Sequence, residues 1–361
     1  VRTASEGKVL ILTASMGAGH DGVAHEVARR FEECGYQPEV LDLLELLPLA
    51  LGSLLRTFYL LQLRWTPWLY EIIYRVWFQS HGRRDAPVSP VTVLAERRLR
   101  RWIADNKPVL AVSTFHLCST VLGDLRRQGA LTVPTVTVVV DFAVHHRWTD
   151  SDVDLHLCLH PRSAEEARQL GAPRVTAPGP IVCPRFTHPA WDRRSARASL
   201  GLAPEVRVVL IVAGSWGAGD VVGTVDVIRR CPRLTPLVVC GADDRLRQRL
   251  RQRARPGENA RVMGWVGDMD RLMAAADVVL ENAGGLTCME ALALGRPVVS
   301  FRPLPGHGRA NVEAMAEAGL VNYVRRPEDL VVTLEQAEMG APLSHAEGID
   351  DMVDLALRSA G

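Results

Sequence analysis

Lysine is almost missing from this chain: among 361 residues it occurs only at Lys8 and Lys107, and arginine carries the remaining positive charge. A formal net charge of +1 gives no global attraction to a polyanion. The two arginine-rich stretches, Arg97-Arg98-x-Arg100-Arg101 and the run between 245 and 255, read as solvated helix faces, not as a nucleic-acid surface. Cysteine pairs with ligand spacing are absent too. The seven cysteines (34, 118, 158, 183, 231, 240, 288) include no CxxC, which speaks against a zinc or dithiol motif and for reduced thiols. No run approaches the ~18 apolar residues of a spanning helix, and no charged segment leads into an apolar stretch and cleavage site at the start. The expectation is a cytoplasmic chain. No Walker loop is present, because no GK[ST] follows any glycine loop.

What is present is the composition of a globular protein, 47% hydrophobic and 23% charged, with length enough for two cores. Lys8-Val-Leu-Ile-Leu-Thr is a short apolar run that breaks at a glycine loop, after which Val23, Val27 and Phe31 recur at helical spacing. Strand, glycine loop and helix make the opening unit of a doubly wound sheet. Residues 206–220 repeat that logic: a buried strand ends in Gly214-Ser215-Trp216-Gly217, whose main-chain N–H groups can form an anion-binding nest. A third instance begins at Asp277-Val-Val-Leu and turns at Gly284-Gly285, where paired glycines permit positive φ. The helix after it carries Leu286, Thr287 and Glu290 and stops at Gly295-Arg296-Pro297. The next strand runs into a second glycine loop, which contains Pro305, Gly306, His307 and Asn311. Two such junctions present helix N-termini to one region, which suits a phosphate. Glu290, one turn inside its helix, is suited to accept hydrogen bonds from a ribose diol.

Residues 49–84 interrupt this pattern. Leu54, Phe58, Leu61 and Trp65 form one helical stripe, and after Pro67 the stripe resumes with Leu69, Ile72 and Val76. Trp65, Trp68, Trp77, Tyr59, Tyr70 and Tyr74 are amphipathic rings that favour a membrane interface, and arginines 56, 64, 75, 83 and 84 suit anionic head groups. Pattern alone leaves two readings open, a lipid-facing surface or a helical pair buried in the first domain. The segment Asp141–Asp154 leaves three. Asp150-Ser-Asp152 looks like a metal-binding DxD, the aspartates and histidines also suit loop capping, and Asp141 at a strand's C-terminal end with His145 after it suits catalysis.

Taken together, these motifs resemble the family 28 glycosyltransferases, and among them the diacylglycerol galactosyl- and glucosyltransferase branch, related to the enzyme that adds N-acetylglucosamine to lipid I. The resemblance rests on Gly284, Gly285, Leu286, Thr287, Glu290, Gly295, Pro297, Pro305, Gly306 and Asn311, on Gly17-x-Gly19-His20, on Asp141, Phe142, His145, Trp148, Val153 and Asp154, and on Tyr59, Pro67, Leu69, Tyr70 and Tyr74. It implies an α/β chain of GT-B fold, with two Rossmann-like doubly wound domains facing a cleft. Residues 1–180 would bind the acceptor through the 49–84 excursion, 181–199 would be hinge and linker, 200–335 would bind a UDP-sugar, and 336–361 would form a helical tail packing back on the first domain.

The activity implied is inverting transfer from a UDP-sugar to a hydroxyl of a lipid acceptor such as diacylglycerol, without a metal cofactor. His20, Asp141 and His145 would be catalytic, with His20 or Asp141 as base and Asp141 otherwise orienting His20. Gly19, Gly214, Ser215, Trp216, Gly217, Trp265, Val266, Gly284, Gly285, Leu286, Thr287, Glu290, Pro305, Gly306, His307 and Asn311 would hold the donor. Arg185 and Arg302 are the phosphate candidates, Cys183 standing where the family often has an arginine. Phe58, Tyr59, Trp65, Trp68, Tyr70 and Tyr74 would meet acceptor or membrane, placing the chain peripherally on the inner face of the cell membrane. In the galactolipid branch the second loop reads Pro-Gly-Gln-Glu; here His307 and Gly308 stand at the last two positions, so the sugar stays open. A natural-product glycosyltransferase with a closed acceptor pocket, and a non-catalytic UDP-sugar sensor, are the alternatives.

Overall fold

The computed structural model describes residues 7–77, 90–254, 260–282, 284–340 and 342. Arg83, Arg84 and the C-terminal tail beyond 342 lie outside the described residues. The described residues divide into two compact units: one holds residues 7–62 and those from Leu69 to Ile181, the other Leu63–Trp68 and residues 182–342.

The first unit runs β1 (Lys8–Thr13), α1 (Ala18–Glu33), β2 (Gln37–Asp42), α2 (Leu51–Trp65), α3 (Pro67–Trp77), α4 (Pro90–Asn106), β3 (Leu110–Ser113), α5 (His116–Arg127), β4 (Thr135–Val139), a 3-10 turn (His146–Trp148), β5 (Leu155–Cys158), α6 (Pro161–Gln169) and β6 (Val175–Thr176). Its strands pair in parallel in the order β2-β1-β3-β4-β5-β6. Because helices cover both faces of such a sheet, its central strands read as unbroken apolar runs. Leu10, Leu12, Ala111, Val121, Leu122 and Leu125 form the core, and each large side chain withdrawn from water contributes roughly 1.5–3 kcal/mol.

The second unit runs α7 (Pro184–Thr187), α8 (Arg193–Ser199), β7 (Arg207–Val212), α9 (Val221–Ile228), β8 (Leu234–Val239), α10 (Asp244–Gln252), β9 (Arg261–Met263), α11 (Met269–Ala275), β10 (Val278–Glu281), α12 (Leu286–Ala293), β11 (Val298–Phe301), α13 (His307–Glu317), β12 (Asn322–Val324) and α14 (Pro327–Gln336). The sheet order is β12-β11-β10-β7-β8-β9, again parallel. Val209, Ile211, Val238, Val278, Leu280 and Val299 fill its interior. A buried ionic knot closes the bottom of this sheet. Asp277 accepts from the Val208 amide at 2.6 Å and from Arg197 Nη2 at 2.5 Å, and also pairs with Arg193. Arg197 is spent inward, donating further to the carbonyls of Ala275 at 2.9 Å and Pro204 at 2.5 Å.

Both sheets are wound outward from a starting strand in two directions, so each has a switch point, between β1 and β3 in the first and between β7 and β10 in the second. Loops leaving the C-terminal ends of those strands diverge to opposite faces and open a crevice, the place where such sheets bind ligands.

Candidate active site

In the first unit the loop after β1 reaches α1 through Gly17, whose φ of 146° opens the helix with no side-chain cap. Gly19 and His20 therefore lie in the first turn, and Thr13 Oγ1 braces that turn by donating to Asp21 Oδ1 at 3.1 Å. His20 Nδ1 lies 3.0 Å from the carbonyl oxygen of Thr114, the residue after β3. A carbonyl only accepts, so Nδ1 carries the proton and the neutral ring leaves Nε2 as a base. The histidine is thus oriented by main chain across the switch point, with Phe115 set edge-on at 4.8 Å. Asp141, the other candidate base, is engaged elsewhere: its Oδ2 accepts from the Trp148 indole Nε1 at 3.0 Å.

Trp148, fully buried, is the hub of the cluster. The rings of His20, His116 and His145 lie 6.3, 5.7 and 6.3 Å from it, and His116 and His145 meet edge to face at 5.0 Å. His145 is buried and also faces Tyr74 at 6.4 Å. Motif reading does not single out His116; its signal is its place just past the C-terminal end of a strand beside the switch point.

The aromatic residues of α2 and α3 separate into two sets. Tyr59 and Tyr70 touch at 5.3 Å and share a hydrogen bond between their phenols. Burial raises the pKa of Tyr59, Tyr70 and Tyr74, and the Asp141 charge raises each further, so all three stay protonated and polar beside that carboxylate. Phe58, Trp65 and Trp68 instead lie 55%, 73% and 63% exposed, with Leu54, Leu61, Ile72 and Val76 also exposed. The stripe read from the sequence therefore faces outward and is not buried in the first domain. Of the arginines nearby, Arg56 pairs with Asp42 at 3.2 Å and Arg75 with Glu71 at 2.9 Å.

Asp152 and Asp150 both engage Arg127, the latter at 3.6 Å, and Asp154 holds the start of β4 through the Thr135 amide at 2.8 Å.

Apart from Trp265 and Val266, which follow edge strand β9, the donor candidates of the second unit gather on the loops after β7, β10 and β11, neighbours in the sheet. Asn282 ties all three: its Nδ2 donates to Ala218 O at 2.8 Å and its main-chain carbonyl accepts from the Leu304 amide at 2.7 Å. Gly214, Ser215, Trp216 and Gly217 form the first loop, and Ser215 O accepts from the Ala242 amide at 2.8 Å. Gly284 and Gly285 have φ of 73° and 74°, and Gly306 has 67°, a conformation that a side chain would strain. Gly285 and Gly306 open α12 and α13 without side-chain caps, and the first-turn amides of a helix point out of its N-terminus. Helices α8 and α10, by contrast, are capped by Asp192 and Asp243. Pro305 precedes Gly306, and buried Asn311 backs the Gly284 turn from α13.

Glu290 lies on α12, where desolvation pushes its carboxyl up to about 8 despite the opposing pull of Arg185, with Asp270 adding to the rise. Arg185 donates to Gly267 O at 2.8 Å, on the loop carrying Val266 and the 65% exposed Trp265. The guanidinium thus stands between that loop and Glu290. Arg302, held in positive φ of 53°, pairs with Asp220 at the start of α9, next to the first glycine loop.

Residues 20–178 match the family model of monogalactosyldiacylglycerol synthase, and residues 208–337 that of group 1 glycosyl transferases. The chain is a GT-B glycosyltransferase. It is similar to a processive diacylglycerol beta-glucosyltransferase of Bacillus subtilis, 26% identical over 330 residues that cover 90% of this chain and 85% of the relative. Among solved structures it is similar to MurG of Acinetobacter baumannii, with TM-score 0.58, 18% identity, and 91% of this chain and 90% of that one covered. It is also similar to a UDP-GlcNAc 2-epimerase of Neisseria meningitidis bound to UDP-GlcNAc, with TM-score 0.64, 13% identity, and 97% and 100% covered. At those identities the structural likeness concerns the fold, and it agrees with the two-sheet architecture expected from the glycine motifs. The family models and the Bacillus relative agree with the resemblance to the diacylglycerol-glycosylating glycosyltransferases.

Proposed function

We propose that this glycosyltransferase moves a sugar from a UDP-sugar to the hydroxyl of a lipid acceptor, diacylglycerol, with inversion at the anomeric carbon. The observation that carries the chemistry is His20, with Nδ1 committed to the Thr114 carbonyl and Nε2 left as a base. The acceptor oxygen attacks the anomeric carbon, its proton passes to His20 Nε2, and the bond to UDP breaks as the new one forms. Asp141, fixed by the Trp148 indole and ringed by Tyr59, Tyr70 and Tyr74, holds the acceptor head group beside it.

The departing diphosphate gains negative charge, and the reading assigns its stabilisation to the Ser215 loop amides, the uncapped starts of α12 and α13, and Arg185 and Arg302, with no metal. Glu290 takes the ribose, and the loop around Val266 and Trp265 the uracil. The monogalactosyldiacylglycerol synthase match and the Bacillus relative's named activity support diacylglycerol, and the UDP-GlcNAc-bound neighbour supports a uridine diphosphate donor.

The exposed stripe of α2 and α3 supports a membrane as the surface on which the acceptor is met. Exposed apolar rows of this kind mark contact sites, and indole rings favour the lipid interface. A closed pocket for a small natural product would enclose such a row. Among the described residues no helix is long and apolar enough to cross a membrane, so the proposed contact is peripheral. Mass spectrometry of products from a panel of UDP-sugars with diacylglycerol vesicles tests the proposal: a hexosyl-diacylglycerol is expected, and UDP release onto water or onto non-lipid acceptors alone would refute it.

A further inference from the structure

A buried carboxylate that the proposed chemistry does not use sits beneath the donor loops. Glu281, the last residue of β10, is 3% exposed. One of its oxygens, Oε2, accepts from the Gly284 amide; the other, Oε1, accepts from the Ser300 hydroxyl on β11. The Cys288 thiol, in the first turn of α12, is a third hydrogen-bond partner, and burial together with Glu281 holds that thiol protonated. Ser300 and Cys288 are both fully buried. A single side chain thereby connects β10, the glycine pair, α12 and β11. Gly284, Ser300 and Cys288 all belong to the elements that shape one turn.

We infer that Glu281 is a positioning residue of the donor site: it fixes the Gly284-Gly285 turn, and with it the amides of Leu286 and Thr287 and the Glu290 carboxylate, in the geometry that receives the nucleotide. This rests on the donor site proposed above and adds to it a residue that touches no substrate. The logic is geometric. Both glycines hold φ above 70°, where glycine is free to move to other wells, so the turn needs an external restraint. Glu281 supplies it through the Gly284 amide, while Ser300 fixes the rotamer of Glu281 itself. Asn282, next in sequence, links the same turn outward to Ala218 and Leu304.

The test compares Glu281→Ala, Glu281→Gln and Ser300→Ala with the wild type, reading UDP affinity by calorimetry and the KM of donor and acceptor separately. Misplacement by about 1 Å costs up to ~100-fold. Glu281→Ala is therefore expected to weaken UDP and raise the donor KM by about 10–100-fold, with the acceptor KM unchanged. Glu281→Gln restores most of the loss, since the amide oxygen can take the Gly284 N–H and the amide nitrogen can donate to Ser300 Oγ. Ser300→Ala weakens the donor in the same sense but less, and it serves where Glu281→Ala does not fold. Unchanged UDP affinity in Glu281→Ala or Ser300→Ala, equal rises in both KM values, or no recovery in Glu281→Gln would each overturn the inference. Glu290→Ala, measured alongside, separates the two levels: if it weakens UDP while the Glu281 and Ser300 variants do not, the donor site stands and only the positioning role falls.

Discussion

Glu290 gives the donor site its sharpest pH signature. Its carboxyl, pushed up to about 8 by desolvation, is about nine-tenths protonated at pH 7 in the absence of nucleotide. A ribose diol donates two hydroxyl protons, and a carboxylate accepts them far better than a carboxylic acid does, at about 1.5–3 kcal/mol for each hydrogen bond to a charged group. Binding in the ionised form must therefore expel close to one proton at pH 7, which offsets about 1.4 kcal/mol of the gain. UDP affinity should then rise about fifty-fold from pH 6 to pH 8 and level off above that, the factor following from a titration near 8 in the free protein only. Glu290→Gln removes the rise, and the phosphate's own titration near pH ~6 is common to both proteins and cancels in their ratio.

Calorimetry in buffers of different ionisation enthalpy reads the released proton directly. The sign for stability is opposite without ligand. A folded pKa above the ordinary 4.5 means that the contribution present below that value is lost as pH rises through about 8, so the thermal stabilisation produced by UDP should grow over the same window. A pH-independent UDP affinity, or proton uptake on binding, would refute the assignment of the ribose to Glu290.

Changing Trp65 and Trp68 together to Ala should abolish co-flotation with diacylglycerol-containing vesicles while leaving UDP affinity in solution unaltered; retained flotation would remove α2 and α3 from the membrane contact. Asp277→Ala strands buried Arg197 and should cost about 3–5 kcal/mol in urea unfolding, with a loss below about 1 kcal/mol showing that the knot is solvated. Trp148→Phe keeps a ring in the hub but takes the hydrogen bond from Asp141, so kcat should fall with UDP affinity unchanged. A change in UDP affinity without one in kcat would contradict the acceptor-side role of that pair.

The fold is readable because its signals are local. An apolar run, a glycine break and a helical repeat follow one another within Lys8–Phe31, and parallel strands buried on both faces need no partner's sequence to be recognised. Glu290, Gly284 and Gly285 are legible for the same reason, lying on one strand–turn–helix unit. What sequence leaves out depends on contacts between distant residues. Thr114 orients His20 from 94 positions away, and Arg127 engages Asp152 from 25 away.

The excursion shows a different limit. Its tyrosines and tryptophans share one amphipathic character, and a helical stripe states which residues share a face without stating which face is covered. Tyr59, Tyr70 and Tyr74 turn toward Asp141, while Trp65 and Trp68 stay in the open. Strands as short as Val175–Thr176 and Asn322–Val324 carry too little pattern to be separated from loop. Glu281 is inconspicuous because an acidic residue ending a strand looks like any other, until its buried partners are seen.

The central claim is that His20 takes the proton of a lipid hydroxyl while the nucleotide is held by other residues. Comparing wild type and His20→Ala for glycolipid formation in diacylglycerol vesicles, with UDP affinity measured on the same preparations, tests it most directly. The account predicts a fall in turnover of about 100-fold or more with UDP affinity preserved. Turnover that survives the substitution, or that is lost only because UDP no longer binds, would contradict it.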